Sequence, residues 1–277
     1  MEVSCRGPLF VGIDIGGTNC RVALVDDSGH VLHRRKEALR DLSFDACLEQ
    51  IGGLVTAVLQ GQAKSCDDIA AIGVGCPGLC YAGKVSAAAN LPGWRDVPLA
   101  QELQQRCGDR PTFLVNDADA ALEAEVWTGD ESIRDVEDIV LLTLGTGVGT
   151  GILSGGRLLQ GSRGCIEGGH VIVHPGGRRC GCGQNGCVEA YASGRALGER
   201  YMEKMASTAQ PTEKVSGEMV VKRARAGDQG ALETLSEAVE ALALLCIALA
   251  RILDPQAFVL VGGVASAGDM LLEPLAT

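Results

Sequence analysis

Residues Glu167 to Glu189 read EGGHVIVHPGGRRCGCGQNGCVE, and the rest of the chain is best read outward from them. The stretch sets His170, Cys180, Cys182 and Cys187 within 18 residues. Four nitrogen and sulfur donors on a short loop are what a closed tetrahedral zinc site needs. The intervening glycines allow turns sharp enough to aim three thiolates at one point. A disulfide is the weaker reading, because Cys180 and Cys182 are too close for an easy bridge and three thiols leave one over. His170 could instead be a satisfied core histidine, and His174 is the rival histidine ligand. Glu167 and Glu189 bracket the cluster, so a metal that pins this loop would present two carboxylates and one face of His170 to a small polar ligand. A solvated loop charge is the alternative for each glutamate.

The 277 residues suffice for one large or two ordinary domains. The chain is 46% hydrophobic but only 3% aromatic, so Ala, Val, Leu and Ile must fill the core. Its net charge of −11 opposes binding to nucleic acid or to anionic membranes, and neither is an expected partner. Twelve cysteines are scattered, many in apolar segments, which suits a reducing compartment. The first nine residues show no targeting signal, and Leu242 to Leu253 is too short to span a bilayer. A soluble, cytoplasmic protein is expected.

Leu9 to Ile15 and Val22 to Val25 read as strands flanking Gly16-Gly17-Thr18-Asn19, with a third run at Val31-Leu32. Residues 44 to 62 carry one helical apolar stripe. Ile69 to Val74, Thr112 to Val115, Ile139 to Leu144, Ile152-Leu153 and Ala257 to Val261 read as strands. Helices are expected at Pro98–Arg106, Ala118–Trp127, Arg195–Met205, Lys222–Ala226 and Ala231–Leu253, the last stopped by Asp254-Pro255. Gly73, Gly75 and Gly78 match a dinucleotide-binding fingerprint, but Pro77 sits in the turn and no amphipathic helix follows, so the match is rejected. Residues 11–25 and 139–153 each read strand, glycine turn, strand, a faint repeat that suggests two α/β lobes with a cleft between them.

The glycine turns carry chemistry. Gly16-Gly17-Thr18 and Gly145-Thr146-Gly147 would expose backbone N–H groups to an anion, with Thr18 and Thr146 adding hydroxyl donors. Asp14 could hold a divalent cation bridging phosphates, directly or through water. Together with Gly262-Gly263 at a third strand end, these turns suggest a nucleotide cradle, whereas any one alone could be an ordinary tight turn. There is no P-loop motif. Asn116-Asp117 falls where a strand meets a helix. Either residue could be a plain N-cap, and Asp117 could also be a general base that accepts a proton from a sugar hydroxyl as that oxygen attacks the γ-phosphorus of ATP.

Taken together, DIGGTNCR at 14–21, GCPG at 75–78, NLPGW at 90–94, Asn116-Asp117, GTGVG at 145–149, EGGH at 167–170, CGCGQNGCVEAYASG at 180–194 and GGV at 262–264 resemble the ROK family of sugar kinases and sugar-responsive repressors. The pieces occur in the family's order along nearly the whole chain, and the cysteine-rich signature is the most specific. The resemblance implies an α/β fold of two actin-like ATPase (ribonuclease H-like) lobes closing on the sugar, with ATP in the cleft and a zinc-bound loop. The division is expected at residues 1–117 and 118–277. The resemblance gives Asp117 the role of base. Gly78, Asn90, Asn116, Asp117, Glu167, His170 and Glu189 correspond to hexose ligands. Asp14, Gly16, Gly17, Thr18, Asn19, Thr146, Gly147 and Gly263 correspond to contacts for ATP with Mg2+. His170, Cys180, Cys182 and Cys187 correspond to the structural Zn2+ set. NLPGW followed by Val97-Pro98-Leu99 is similar to the glucokinase branch, so glucose 6-phosphorylation is the first expectation. N-acetylmannosamine and N-acetylglucosamine kinases, and a sugar sensor without catalysis, are the alternatives. A homodimer is a common assembly in the family. Repressor members carry an N-terminal helix-turn-helix, for which Asp14 lies too near the start. Family members usually continue past the point corresponding to Thr277, so a truncated product of low activity is a further expectation.

Overall fold

A computed structural model describes residues 7–129, 131–206 and 214–276. The chain divides into two units, Met1–Thr128 with Gln160–Cys165, and Gly129–Leu159 with Ile166–Thr277.

The first unit is built on β1 (Leu9–Ile15), whose alternate residues Leu9, Val11, Ile13 and Ile15 are buried. β2 (Asn19–Asp26) returns antiparallel with Ile15 opposite Cys20. β3 (Val31–Ala38) lies at the edge, and β4 (Ile69–Cys76) and β7 (Thr112–Asn116) continue the sheet in parallel, in the order β3-β2-β1-β4-β7. α1 (Phe44–Gln60) lies on β2 and β3 and buries Cys47, Leu48, Ile51, Leu54, Val55, Val58 and Leu59, the stripe the sequence predicts. Each such side chain contributes roughly 1.5–3 kcal/mol when fully buried, so this face outweighs the absence of a side-chain N-cap bond at Ser43.

The glycine fingerprint at 73–78 runs from β4 into a small hairpin, β5 (Leu79–Tyr81) with β6 (Lys84–Ala87), and opens no helix. α2 (Leu99–Arg106) leads into β7, and α3 (Asp117–Thr128) follows it. The sequence places the division after residue 117. α3 instead groups with the first unit because it packs on β4 and β7. Gln160–Cys165 joins the same unit: a Cβ on Gly164 would meet the Cys80 carbonyl at 2.1 Å.

The second unit repeats the pattern with β8 (Ile139–Leu144), β9 (Val148–Ser154), β10 (Arg157–Leu158) and β11 (Ala257–Val261), in the order β10-β9-β8-β11. β8 and β9 form the hairpin, and β11 runs parallel to β8 as β4 does to β1. Its helices are α4 (Glu189–Ala192), α5 (Gly194–Met205), α6 (Gly217–Arg225), α7 (Gln229–Leu253) and α8 (Asp269–Leu275). Asp228 caps α7 by accepting from the Ala231 N–H at 2.8 Å, and Asp254 ends it in the left-handed region at φ 48°. α6 begins five residues before the expected Lys222, and α8 has no counterpart among the sequence expectations. Each unit has its own apolar core. No helix among the described residues is long and apolar enough to cross a membrane.

Candidate active site

In the first unit, β1 and β2 meet at Gly16-Gly17-Thr18, closed by the Gly16 N–H donating to the Asn19 carbonyl at 2.8 Å. A Cβ on Gly17 would lie 2.7 Å from the Asn90 Cβ, so Asn90 rests directly on the turn and only glycine fits beneath it. Asn90 is held there by its own segment. Leu91 and Trp94 are buried, and the Trp94 indole N–H donates to the Leu42 carbonyl at 2.9 Å. The indole also meets the Phe44 ring edge-on at 5.2 Å. Asp14 forms an ion pair with Arg21 across the hairpin, a partner the sequence did not identify.

At the end of β7, Asn116 donates through Nδ2 to the Gly78 carbonyl at 3.0 Å and accepts at Oδ1 from the Ala118 N–H at 2.8 Å. It therefore caps α3 and fixes the Gly78 turn, where φ is +93° and a Cβ would sit 2.2 Å from the Ala87 carbonyl. Asp117 opens α3, and its carboxylate shares the same Ala118 N–H at 2.9 Å. Asp117 keeps solvent access, yet desolvation by the protein around its carboxyl pushes the pKa up, and the charge of Asp14 adds to this. Burial also pushes the neighbouring Asp119 carboxyl up, to about 6.

In the second unit, the turn Gly145-Thr146-Gly147 closes β8 on β9, with the Gly145 N–H donating to the Gly147 carbonyl at 3.0 Å. Glu189, the first residue of α4, accepts at Oε2 from the Val148 N–H at 3.1 Å. A Cβ on Gly147 would come 2.5 Å from that oxygen. The expected hexose ligand is thus seated on the expected phosphate turn. Its other oxygen lies 3.8 Å from the Arg195 guanidinium and 3.9 Å from Cys180 Sγ.

Cys180 lies beside the metal-ligand set. The ligand atoms of His170, Cys180, Cys182 and Cys187 all fall within 4.8 Å of one another. His170 Nδ1 is 3.7 Å from Cys180 Sγ, and Cys182 Sγ is 3.7 Å from Cys187 Sγ. A tetrahedral site with metal–sulfur bonds of about 2.3 Å has edges of about 3.8 Å, so these two pairs have its spacing and the set has its donor types. The loop folds on its own backbone. Val173 and His174 both donate to the Gly186 carbonyl, Gly186 donates to Arg178 at 2.7 Å, and Cys180 donates to Gln184 at 2.8 Å. Gly186, at φ +85°, would bring a Cβ within 1.8 Å of the His174 carbonyl. His174, the rival ligand, packs instead against the Tyr191 ring, with centroids 4.7 Å apart. Gly168 and Gly169 let the turn bearing Glu167 and His170 lie against β9: a Cβ on Gly169 would stand 2.0 Å from the Val148 carbonyl.

The Gly145-Thr146-Gly147 turn forms one edge of a cavity of about 950 Å³, whose wall includes Gly145, Thr146 and Gly263 but not Gly147, which the sequence reading grouped with them. Much of the rest of its wall comes from α5, α6 and the residues just before α6, including Arg195, Glu199, Gly217 and Glu218, which the sequence reading missed. The available signal is two Ser-Gly pairs. Ser193 accepts from the Ala196 N–H at 3.1 Å and Ser216 from the Met219 N–H at 3.2 Å, each capping a helix. Both helix N-termini border the cavity, an electrostatic setting that favours an anion.

The sequence profile of the ROK family matches residues 10–277. A glucokinase from Thermotoga maritima is 35% identical over 96% of this chain and 85% of its own length. An N-acetylmannosamine kinase from Escherichia fergusonii is 33% identical over 94% of this chain and 85% of its own. Among solved structures, a ROK family glucokinase from Streptomyces griseus, in complex with glucose and AMPPNP, aligns with a TM-score of 0.82 at 32% identity, covering 97% of this chain and 87% of that one. The mixed α/β fold is therefore that of the sugar-kinase group with the actin-like ATPase architecture. The chain belongs to the ROK family.

Proposed function

We propose that the protein transfers the γ-phosphoryl group of ATP to the 6-hydroxyl of a hexose, glucose in the first place. The observation that carries this reading is Asp117: a carboxylate fixed on a strand–helix junction, close enough to the Asp14 turn to feel its charge, in a chain 35% identical to a glucokinase. Asn90, Asn116, Glu167, His170 and Glu189 are of the residue types that supply acceptors and donors to the vicinal hydroxyls of a sugar.

Asp117 accepts the 6-hydroxyl proton as that oxygen attacks the γ-phosphorus, and ADP leaves. The N–H groups of both glycine turns bind phosphoryl oxygens, and the α5–α6 cavity takes the rest of the nucleotide. Mg2+, when bound with the nucleotide, neutralises charge on the phosphoryl oxygens, and Asp14 is the residue that would hold it, directly or through water. His170, Cys180, Cys182 and Cys187 would hold Zn2+ as a structural ion, which would fix the loop that ends in Glu189. Burial pushes the Cys187 thiol to about 12 when no metal is bound, so ion binding has to release protons.

The 33% identity to an N-acetylmannosamine kinase supports a hexosamine as the second reading. ADP release measured across glucose, N-acetylmannosamine and N-acetylglucosamine separates the two, with the highest kcat/KM expected on glucose. A higher value on either hexosamine moves the assignment to that sugar. Sugar binding without ADP release from any of the three makes the protein a sensor and rejects the kinase reading.

A further inference from the structure

Arg200 is 2% exposed, a position where a chain requiring only packing would carry Leu or Met. Its guanidinium forks. Nη1 donates to the Tyr191 carbonyl at 2.7 Å, and Nη2 pairs with Glu237 of α7, which also takes the Lys204 ammonium at 2.8 Å. The guanidinium carbon also stands 5.6 Å from the centre of the Tyr191 ring. Desolvation lowers the Arg200 pKa, opposed by Glu237.

What the fork holds is α4. That helix is one turn of four residues, too short to persist on its own propensity. Its first residue is Glu189, and the carbonyl that Arg200 takes belongs to its third. A helix leaves its last carbonyls without partners and carries partial negative charge at that end, so a buried cation there satisfies both. Tyr191 is also bound from the loop side, where its hydroxyl accepts from the Arg178 N–H at 2.9 Å. A Cβ on Gly177 would approach that hydroxyl to 2.2 Å. The direction of α4, and with it the direction of Glu189, is therefore set from its C-terminal end by Arg200.

We propose that Arg200 is a positioning residue for hexose recognition: its bond to the Tyr191 carbonyl orients α4 so that Glu189 presents one carboxylate to the Val148 N–H and to the sugar together. This rests on the reading of Glu189 as a hexose ligand. Lysine at position 200 keeps the charge but has no fork to serve the Tyr191 carbonyl and Glu237 together. Glu237→Gln weakens the ion pair and leaves the carbonyl bond.

The test is direct hexose binding by calorimetry, without nucleotide, on wild type, Arg200→Lys, Glu189→Gln, the double variant Arg200→Lys/Glu189→Gln and Glu237→Gln, with Tm recorded for each. Arg200→Lys should weaken glucose binding about tenfold. The double variant should bind no more weakly than Glu189→Gln alone, because Arg200 acts through Glu189. Glu237→Gln should lose thermal stability and keep its glucose affinity. Additive losses in the double variant, or a loss in Glu237→Gln equal to that in Arg200→Lys, would show a merely structural role and overturn the proposal. Unchanged affinity in Glu189→Gln overturns it as well. Wild type that binds none of the three hexoses takes the kinase reading down with it, an outcome distinct from either of the others.

Discussion

Asp117 carries two demands that pull its carboxyl in opposite directions. A helix N-terminus favours the ionised form, and the Ala118 N–H donates to it, yet desolvation and the charge of Asp14 push its pKa above the ordinary aspartate value. An acid whose pKa is higher in the fold than in the unfolded chain binds its proton more tightly when folded. Its contribution to stability is therefore full at low pH and is lost as pH rises through the folded value. Activity runs the other way, because a base must be ionised to accept a proton. Asp117→Asn should hence leave Tm at neutral pH equal or higher while lowering kcat on the order of 10²–10⁴-fold. The acid limb of the wild-type kcat/KM profile should lie above the usual aspartate value of about 4 and vanish in the variant. Turnover of Asp117→Asn at the wild-type rate would remove it from the role of base. The position of this residue was legible because a short strand followed by an Ala- and Glu-rich helix places it at a junction. The Arg21 partner of Asp14 was not, because it depends on strand register, and neither was the Glu189–Val148 bond, which joins residues 41 apart.

At the scale of elements, legibility followed burial. Strands and helices with one buried face announced themselves by period, as in β1 and α1. β3 did not beyond Val31-Leu32, because an edge strand with most side chains in water can run through His33-Arg34-Arg35-Lys36-Glu37 without any alternation, and those charges also discourage edge pairing. The start of α6 has a local signal in its Ser216 cap, but its seat on α5 has none, because that depends on a contact of glycines. A Cβ on Gly217 would stand 2.5 Å from the Gly194 Cα, which is backbone and cannot rotate away. Gly217→Ala should therefore push α6 off α5 at the mouth of the cavity. Overpacking of this kind costs about 1–3 kcal/mol, which lowers Tm by several degrees. Because both helix N-termini border the cavity, the KM for ATP should rise while glucose affinity, measured without nucleotide, stays put. An unchanged ATP KM in a folded variant would separate that cavity from the nucleotide.

Over the whole molecule, the repeated hairpin-plus-parallel-strand plan gives each unit its own core, and the metal-ligand set belongs to the second alone. A ligand that binds only the folded form stabilises the structure it touches, so a metal ion held by that set should, when removed, loosen that unit selectively. Cys182 is the ligand to change first. It is exposed, so Cys182→Ala removes a donor at little packing cost, unlike Cys187, which is fully buried. Hydrogen exchange of chelated wild type and of untreated Cys182→Ala should give one pattern. Amides of the loop from Val171 to Val188, of α4 and of the adjoining end of β9 should exchange faster, whereas β1, β2, β4 and β7 keep their protection. Chelator added to Cys182→Ala should change nothing further, since the ion is already lost. Purified wild type should hold about one zinc per chain by elemental analysis, and the variant far less. Equal exchange changes in both units would mean that the ion governs global stability. No change in either, in protein shown to contain zinc, would mean that the loop's backbone bonds alone hold Glu189 in place.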